Sequence, residues 1–103
     1  MNASTPVSNS ELQRGVQLFN DLFRASAADQ GVDLLLYGMA IGNPSAEERQ
    51  LDYLVLPRNG PRMKVQIETR LFLAAARDAA ATAPQLHAEC NRVLDQITAL
   101  KAA

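Results

Sequence analysis

The sequence predicts a small α+β domain with an N-terminal helix, a three-stranded antiparallel meander and a C-terminal helical region, in the order α-β-β-β-α. Three observations support this fold class. Apolar residues recur at helical spacing in the first and last thirds of the chain. Three short apolar or alternating runs lie between them, and Asn59-Gly60, a dipeptide typical of hairpin turns, separates the second run from the third. The 103 residues are enough for one domain with its own core.

The first helix is predicted over residues 9–28. It follows a small and polar segment, residues 1–8, which predicts a flexible N-terminal arm. Ser8 and Glu11 form a capping box, in which the hydroxyl and the carboxylate accept hydrogen bonds from backbone N–H groups at the helix start. The apolar residues of one helix face are three or four positions apart, namely Leu12, Val16, Phe19 and Phe23. We therefore predict an amphipathic helix that opens a single domain over residues 9–103.

Three strands are predicted over residues 32–41, 51–56 and 63–71. The first two are apolar at nearly every position, which is typical of strands that are buried on both faces. The third strand alternates between apolar and polar residues, so one of its faces is exposed. Because Asn59-Gly60 accepts the positive φ angles of a type I′ turn, the second and third strands are predicted to form a hairpin.

The first two strands carry more apolar surface than one layer of helices covers. Strict alternation divides the first strand into two sets: Leu34, Leu36 and Ala40 on one face, and Leu35, Tyr37, Met39 and Ile41 on the other. In the second strand it separates Tyr53 and Val55 from Leu54 and Leu56. We expect the uncovered face to be a protein interface, with a second copy of the chain as the first candidate and a different protein as the second. The alternative is that the helical segments lie on both faces of the sheet and complete the core.

The remaining elements are predicted to be helical. Ser45 and Glu48 repeat the capping-box pattern and predict one helical turn through Gln50. The alanine-rich segment 73–83 favours a helix that is kinked or restarted around Thr82, Pro84 and Gln85. A final helix is predicted over residues 84–101, with apolar residues at the spacing of helix pairing: Leu86, Cys90, Val93, Ile97 and Leu100.

Composition argues against several classes of protein. The formal net charge of −1 and the hydrophobic content of 48% are typical of neither a basic nucleic-acid binder nor a disordered chain. A single cysteine excludes an intramolecular disulfide and suits a reducing cytoplasm. The N-terminal segment lacks the basic and apolar regions of a signal peptide, and no apolar run approaches the roughly 20 residues of a membrane span. We therefore expect a cytoplasmic protein with no membrane association.

Catalytic candidates are few, and we predict no enzyme, no cofactor and no metal site. His87 and Cys90 are the only histidine and cysteine, and three residues apart on a helix they supply at most two of the four ligands of a structural zinc site. The interpretation we favour is an exposed His87 and a buried Cys90. Glu47, Glu48 and Asp52 near the first inter-strand loop complete no calcium or glycosidase pattern, and we interpret them as solvated.

A basic cluster at the hairpin raises a nucleic-acid alternative. Its members are Arg58, Arg62 and Lys64, with Arg70 further along. The third strand followed by two helices has the element order of a ribbon-helix-helix protein, in which the exposed row would read the DNA groove: Lys64, Gln66, Glu68 and Arg70. The acidic Glu68 within that row, and a hairpin that gives this strand a partner within the chain, argue against it. Binding to nucleic acid is therefore not the function we favour.

In length and element order the chain resembles small bacterial anti-activators that bind LuxR-type quorum-sensing regulators and block their dimerisation. The resemblance covers the order of the predicted helices and strands and carries over no functional residue. The same order is similar to that of type III secretion chaperones, which also dimerise. These resemblances imply a protein that binds another protein.

We thus predict a non-enzymatic homodimer that binds a protein partner, such as a transcriptional regulator that it sequesters. The alternatives are a type III secretion-like chaperone and a ribbon-helix-helix-like DNA-binding protein. The partner-binding residues are predicted on the apolar stripes of the first and last helices: Leu12, Phe19, Phe23, Leu86, Val93 and Ile97.

Overall fold

A computed structural model describes residues 9–39 and 47–102 of the chain. Its elements, in chain order, are α1 (Asn9–Asp29), β1 (Leu34–Met39), β2 (Gln50–Pro57), β3 (Met63–Glu68), α2 (Thr69–Arg77) and α3 (Ala79–Ala102). The three strands form one antiparallel sheet in the order β1-β2-β3. The predicted α+β fold class and its layout are confirmed. The predicted N-terminal arm, residues 1–8, lies outside the described residues.

Helix α1 has the predicted amphipathic pattern and ends in a Schellman motif. Its buried face contains the four predicted apolar residues and, one turn further on, Ala27. At its C-terminus the N–H of Val32 donates to the carbonyl of Ala27 at 2.8 Å, and the N–H of Gly31 donates to the carbonyl of Ala28 at 3.2 Å. Gly31 has a φ of 73°, a conformation that is costly for residues with a Cβ. The glycine therefore ends the helix and turns the chain toward β1.

Helices α1 and α2 approach each other at Gly15. A Cβ atom built on this glycine would lie 1.9 Å from the carbonyl oxygen of Phe72, far inside van der Waals contact. The absence of a side chain at position 15 thus lets the backbone of α2 lie directly against α1. This contact fixes the position of the short helix that follows the sheet.

The β2–β3 hairpin is confirmed, but the predicted type I′ turn at Asn59-Gly60 is wrong. Among the described residues only Gly31 and Gly38 have positive φ angles, whereas a type I′ turn needs positive φ at both of its central residues. The last paired residues are Val55 and Met63, so seven residues connect them. A loop of this length reverses the chain without left-handed residues.

The predicted assignment of the β1 side chains to the two faces of the sheet is also wrong. A bulge lies between Leu34, which pairs with Pro57, and Leu36, which pairs with Leu56. The extra residue, Leu35, shifts the alternation, so Leu34 packs against the core together with Tyr37 and Met39. Strict alternation had placed Leu34 with Leu36. The predicted residues 40–41 of this strand lie outside the described residues.

Two predictions for the segments next to β2 and β3 are wrong. The third strand ends at Glu68 and α2 begins at the next residue, Thr69, whose N–H donates to the carbonyl of Arg49 at 3.0 Å and completes the ladder. The predicted helical turn through Gln50 is instead a turn and bend over residues 47–49 that leads into β2, while residues 45–46 are not described.

The break between the last two helices lies at Asp78, not around Thr82 and Pro84. Asp78 has φ −152° and ψ 85°, which ends α2, and its Oδ1 accepts the N–H of Ala81 at 3.1 Å as a helix cap. Helix α3 therefore starts five residues before Pro84, which lies inside it. The cap at Asp78 decides the break because it satisfies backbone donors that a proline restart would leave free.

All three helices pack on one face of the sheet, and the core lies between them. Tyr53, Val55, Val65 and Ile67 on this inner face share one cluster with α1, α2 and α3. The hydroxyl of Tyr53 donates to Oδ1 of Asn20 at 2.6 Å, so the one buried phenol of the core has an acceptor. The alternative in which helices cover both sheet faces is wrong for the described part of the chain.

Candidate interaction surface

The histidine and the cysteine do not form a reactive pair. His87 is exposed on α3, whereas Cys90 is fully buried. Burial raises the pKa of the Cys90 thiol from 9.0 to about 12, and the neighbouring carboxylate of Glu89 adds to the increase. A nucleophilic cysteine needs a thiolate near neutral pH, so this environment opposes such a role. No group of three His, Cys, Asp or Glu residues in the described ranges is placed to hold a metal ion.

The raised pKa of Cys90 predicts a loss of stability in alkali. The folded state keeps the thiol proton up to about pH 12 and the unfolded state releases it near pH 9, so unfolding is accompanied by proton release between these values. We expect the free energy of unfolding to fall above pH 9, by up to about 1.4 kcal/mol per pH unit. Urea unfolding of the wild type and of Cys90→Ala between pH 7 and 11 measures this slope. The wild type should lose stability more steeply than the variant, and equal slopes would contradict the prediction.

The charged candidates are largely neutralised by neighbours of opposite sign. Nε of Arg58 lies 2.6 Å from Oδ2 of Asp33, and Nζ of Lys64 lies 3.9 Å from Oδ2 of Asp52. Arg70, at the start of α2, is 3.3 Å from Glu68. Three of the four members of the predicted basic cluster, Arg58, Lys64 and Arg70, thus lie in ion pairs on the surface. Glu47 and Glu48 are exposed.

Strand β3 is not free to form an intermolecular ribbon. One side of it pairs with β2 over its whole length. On its other edge a guanidinium N–H of Arg92, in α3, donates to the carbonyl of Gln66 at 3.3 Å, while Glu89 holds the same guanidinium at 2.6 Å. A ribbon-helix-helix protein pairs this strand with that of a second chain. The geometry found here does not support that arrangement.

Two surface depressions flank α2. One, of about 590 Å³, lies between α2 and α3, and the other, of about 360 Å³, lies at the N-terminus of α2. Both are lined by Glu68 and Arg70, which form an ion pair with each other. Thr69 also lines the second depression, and its hydroxyl is buried without a hydrogen-bond partner. These depressions are not the candidate site.

The six residues predicted to bind a partner all lie in the core. Their exposed fractions range from 0 to 4%: Leu12, Phe19, Phe23, Leu86, Val93 and Ile97. Each belongs to the cluster between the helices and the sheet. A partner could touch them only after the helices separate from the sheet. Their role in partner binding stays a prediction, and the folded chain presents a different apolar surface.

That surface is the outer face of β1 and β2, which we call the leucine face. It consists of Leu36, Leu54 and Leu56, with Leu35 at the bulge beside them. Leu35 and Leu36 are 51% and 52% exposed, while Leu54 and Leu56 are half-buried. Leu36 pairs with Leu56, so the apolar side chains adjoin across the two strands. No described helix covers this face.

Two features give the leucine face its relief and its border. Gly38 lies on the same face and pairs with Leu54, and a Cβ built on it would meet nothing within 4 Å. The face is therefore indented next to the projecting Leu36. Strand β3 forms the polar border, because its residues on this face are Lys64, Gln66 and Glu68, all exposed.

The sequence indicated this surface but not its residues. Three consecutive leucines, 34–36, cannot all point inward in a strand, so at least one had to lie on the second face. That signal was the basis for predicting an interface on the sheet, which stays a prediction. The selection of Leu35 and Leu36 depends on the bulge, for which Gly38 was the nearest hint in the sequence.

Comparisons with models of known families, with curated proteins and with solved structures gave no match to this chain. Within the described ranges, no helix combines the length and the apolar character needed to cross a membrane.

Proposed function

We propose that this protein is a non-enzymatic, protein-binding regulator whose interaction surface is the leucine face. The observation that carries the proposal is the apolar pair Leu35 and Leu36, each about half exposed on a sheet face that no described helix covers. Apolar surface that adjoins in this way, with a polar border, is typical of protein interfaces. Burying it against a partner removes leucine side chains from water, which is favourable by about 25 cal/mol per Å².

The chemistry of the chain supports a binding role over a catalytic one. Its one histidine is exposed on α3, and its one cysteine has a buried thiol with a raised pKa. The charged groups of the outer face are paired with one another, as in Asp52 with Lys64. Such pairs suit the border of an interface, where they contribute more to specificity than to affinity.

The partner that we propose is a transcriptional regulator in the cytoplasm. This part of the proposal rests on the resemblance in element order to anti-activators of LuxR-type regulators. An anti-activator needs only to cover a surface of its target, so it requires no reactive group. The leucine face offers such a surface without any change in the fold.

Affinity capture with matched variants tests the proposed surface. Leu36→Asp places a carboxylate in the middle of the leucine face, and Leu100→Asp places one on the last turns of α3, where the leucine is similarly exposed at 46%. From an extract of the source organism, we expect the wild type and Leu100→Asp to retain the same partner and Leu36→Asp to lose it. Identical capture by both variants would exclude the leucine face as the interaction surface.

A further inference from the structure

We propose that β1 pairs edge to edge with the β1 of a second copy of this chain, about a two-fold axis perpendicular to the sheet, so that two three-stranded sheets join into one of six strands. This contact uses the edge of the sheet and not the leucine face, so it does not depend on the proposed function. Within the described residues β1 pairs with β2 alone. Every second residue of such an edge strand points its N–H and C=O away from its neighbour. These backbone groups of β1 are the ones that the second copy would bind.

The two edges of the sheet differ in how well they admit another strand. On the β3 edge the guanidinium of Arg92 donates to the carbonyl of Gln66 at 3.3 Å. Strand β1 contains no charged residue and no proline, two of the features that commonly protect an edge strand. Its bulge, a third such feature, lies between Leu34 and Leu36, and the pairing from Leu36 to Met39 is regular. The edge of β1 is therefore the one open to pairing.

Strand β1 has the composition of a central strand and the exposure of an edge strand. On the inner face of the sheet, Tyr53 and Val55 of β2 are fully buried, whereas Tyr37 and Met39 of β1 are only half-buried. On the outer face Leu36 is about half exposed. The helices therefore do not fully cover the inner face of β1. A further strand beside β1 would remove apolar side chains from water on both faces, which is favourable.

A second copy of the chain matches both faces of β1. A two-fold axis perpendicular to the sheet keeps the two outer faces on one side and the two inner faces on the other. Leu36 then lies beside the outer-face residues of the second β1, and Tyr37 and Met39 lie beside its inner-face residues. Apolar side chains adjoin apolar side chains on both faces, which supports antiparallel pairing. An alternating strand such as β3 would match one face only.

The six-stranded sheet leaves the leucine face open. The same axis sets the leucine faces of the two copies side by side, with Leu35 and Leu36 of both copies near the axis. The dimer therefore presents a continuous apolar surface of twice the width. It can bind the regulator proposed above without giving up its contact at β1.

Sedimentation equilibrium with a lysine variant tests the edge contact. Met39→Lys places an ammonium group at the edge of β1, where the second strand would take it out of water, so the dimer dissociation constant should rise at least about tenfold. Leu71→Lys is the matched control, because Leu71 is also half-buried but lies on α2, beside the depression between α2 and α3. We expect dimers for the wild type and for Leu71→Lys and mainly monomers for Met39→Lys. Circular dichroism should show that both variants are folded.

Amide hydrogen exchange of the wild type is a second measurement, and it needs no variant. In the monomer only alternate amides of β1 bind β2 and exchange slowly. In the dimer the intervening amides bind the second β1, so their exchange should slow at least about tenfold as the protein concentration is raised. The amides of β3 should not change.

The outcomes separate the edge contact from the proposed function. A wild type that stays monomeric through the micromolar range overturns the second copy and leaves the edge to a strand of another protein. A dimer that Met39→Lys weakens no more than Leu71→Lys, or whose intervening β1 amides still exchange rapidly, overturns the contact at β1. Partner capture reports on the leucine face separately, because a monomeric Met39→Lys keeps that face. Capture that is lost in Leu36→Asp and kept in Met39→Lys supports the proposed function even where the dimer fails.

Discussion

Replacing Gly15 with alanine is expected to lower the free energy of unfolding by about 3 kcal/mol, although alanine is the better helix former. The added Cβ would lie 1.9 Å from the carbonyl oxygen of Phe72 and 2.9 Å from its Cα. Both are backbone atoms, so no rotation of a side chain relieves the contact, and α1 and α2 must move apart. Urea unfolding monitored by circular dichroism measures the change.

Gln13→Ala is the matched control, because Gln13 is exposed on the same helix two residues earlier. It should change the free energy of unfolding by no more than about 0.5 kcal/mol. If Gly15→Ala instead stabilised the protein by the roughly 1 kcal/mol of helix propensity, the close contact between α1 and α2 would not exist.

Phe19→Ala is expected to cost about 3–5 kcal/mol, which is a large part of the stability of a domain of this size. The ring of Phe19 is fully buried, with centroids 5.0 Å from Tyr53, 5.5 Å from Phe72 and 6.0 Å from Phe23. Its removal leaves a cavity where α1, α2 and β2 meet. Thermal and urea unfolding of the variant measure the loss.

Tyr37→Ala serves as the comparison for this position. Tyr37 is a half-buried ring that packs against the same cluster, and its centroid lies 5.8 Å from that of Phe23, with the two rings tilted by 54°. Its loss should therefore destabilise the fold clearly less than the loss of Phe19. A Phe19→Ala variant that kept wild-type stability but lost its partner would show that Phe19 is an interface residue after all, as the sequence predicted.

The fold could be predicted because its signals are local. Helical spacing identified α1 and α3, alternation identified β3, and Gly31 marked the end of α1. The break at Asp78 was missed although its cap is local, between Asp78 and Ala81. Other features depend on a contact that is distant in sequence. The N–H of Thr69, at the start of α2, binds the carbonyl of Arg49, twenty residues earlier, and nothing near Thr69 in the sequence shows this. The same holds for Gly15, whose role depends on the backbone of Phe72.

The sequence predicted an exposed apolar face on the sheet, but it did not predict which residues form that face. Apolar periodicity shows which residues avoid water, but it does not distinguish a core from an interface. The stripe that contains Phe19 and the leucines of β1 are equally apolar in the sequence. The structure separates them. The stripe that contains Phe19 is buried between the helices and the sheet, whereas a single inserted residue at Leu35 turns Leu36 outward. A bulge of this kind has no reliable signature in one sequence.

The contact between Arg92 and the carbonyl of Gln66 has a consequence for aggregation. It places a charged, anchored side chain along one margin of the sheet, where another β-strand would have to add. Strand addition is thereby discouraged at β3, and in the described part of the chain β1 is the other edge strand of the sheet. A chain with one free edge strand can pair with one neighbouring chain and then has no free edge strand left. Ordered growth into fibrils through this sheet would stop at two chains.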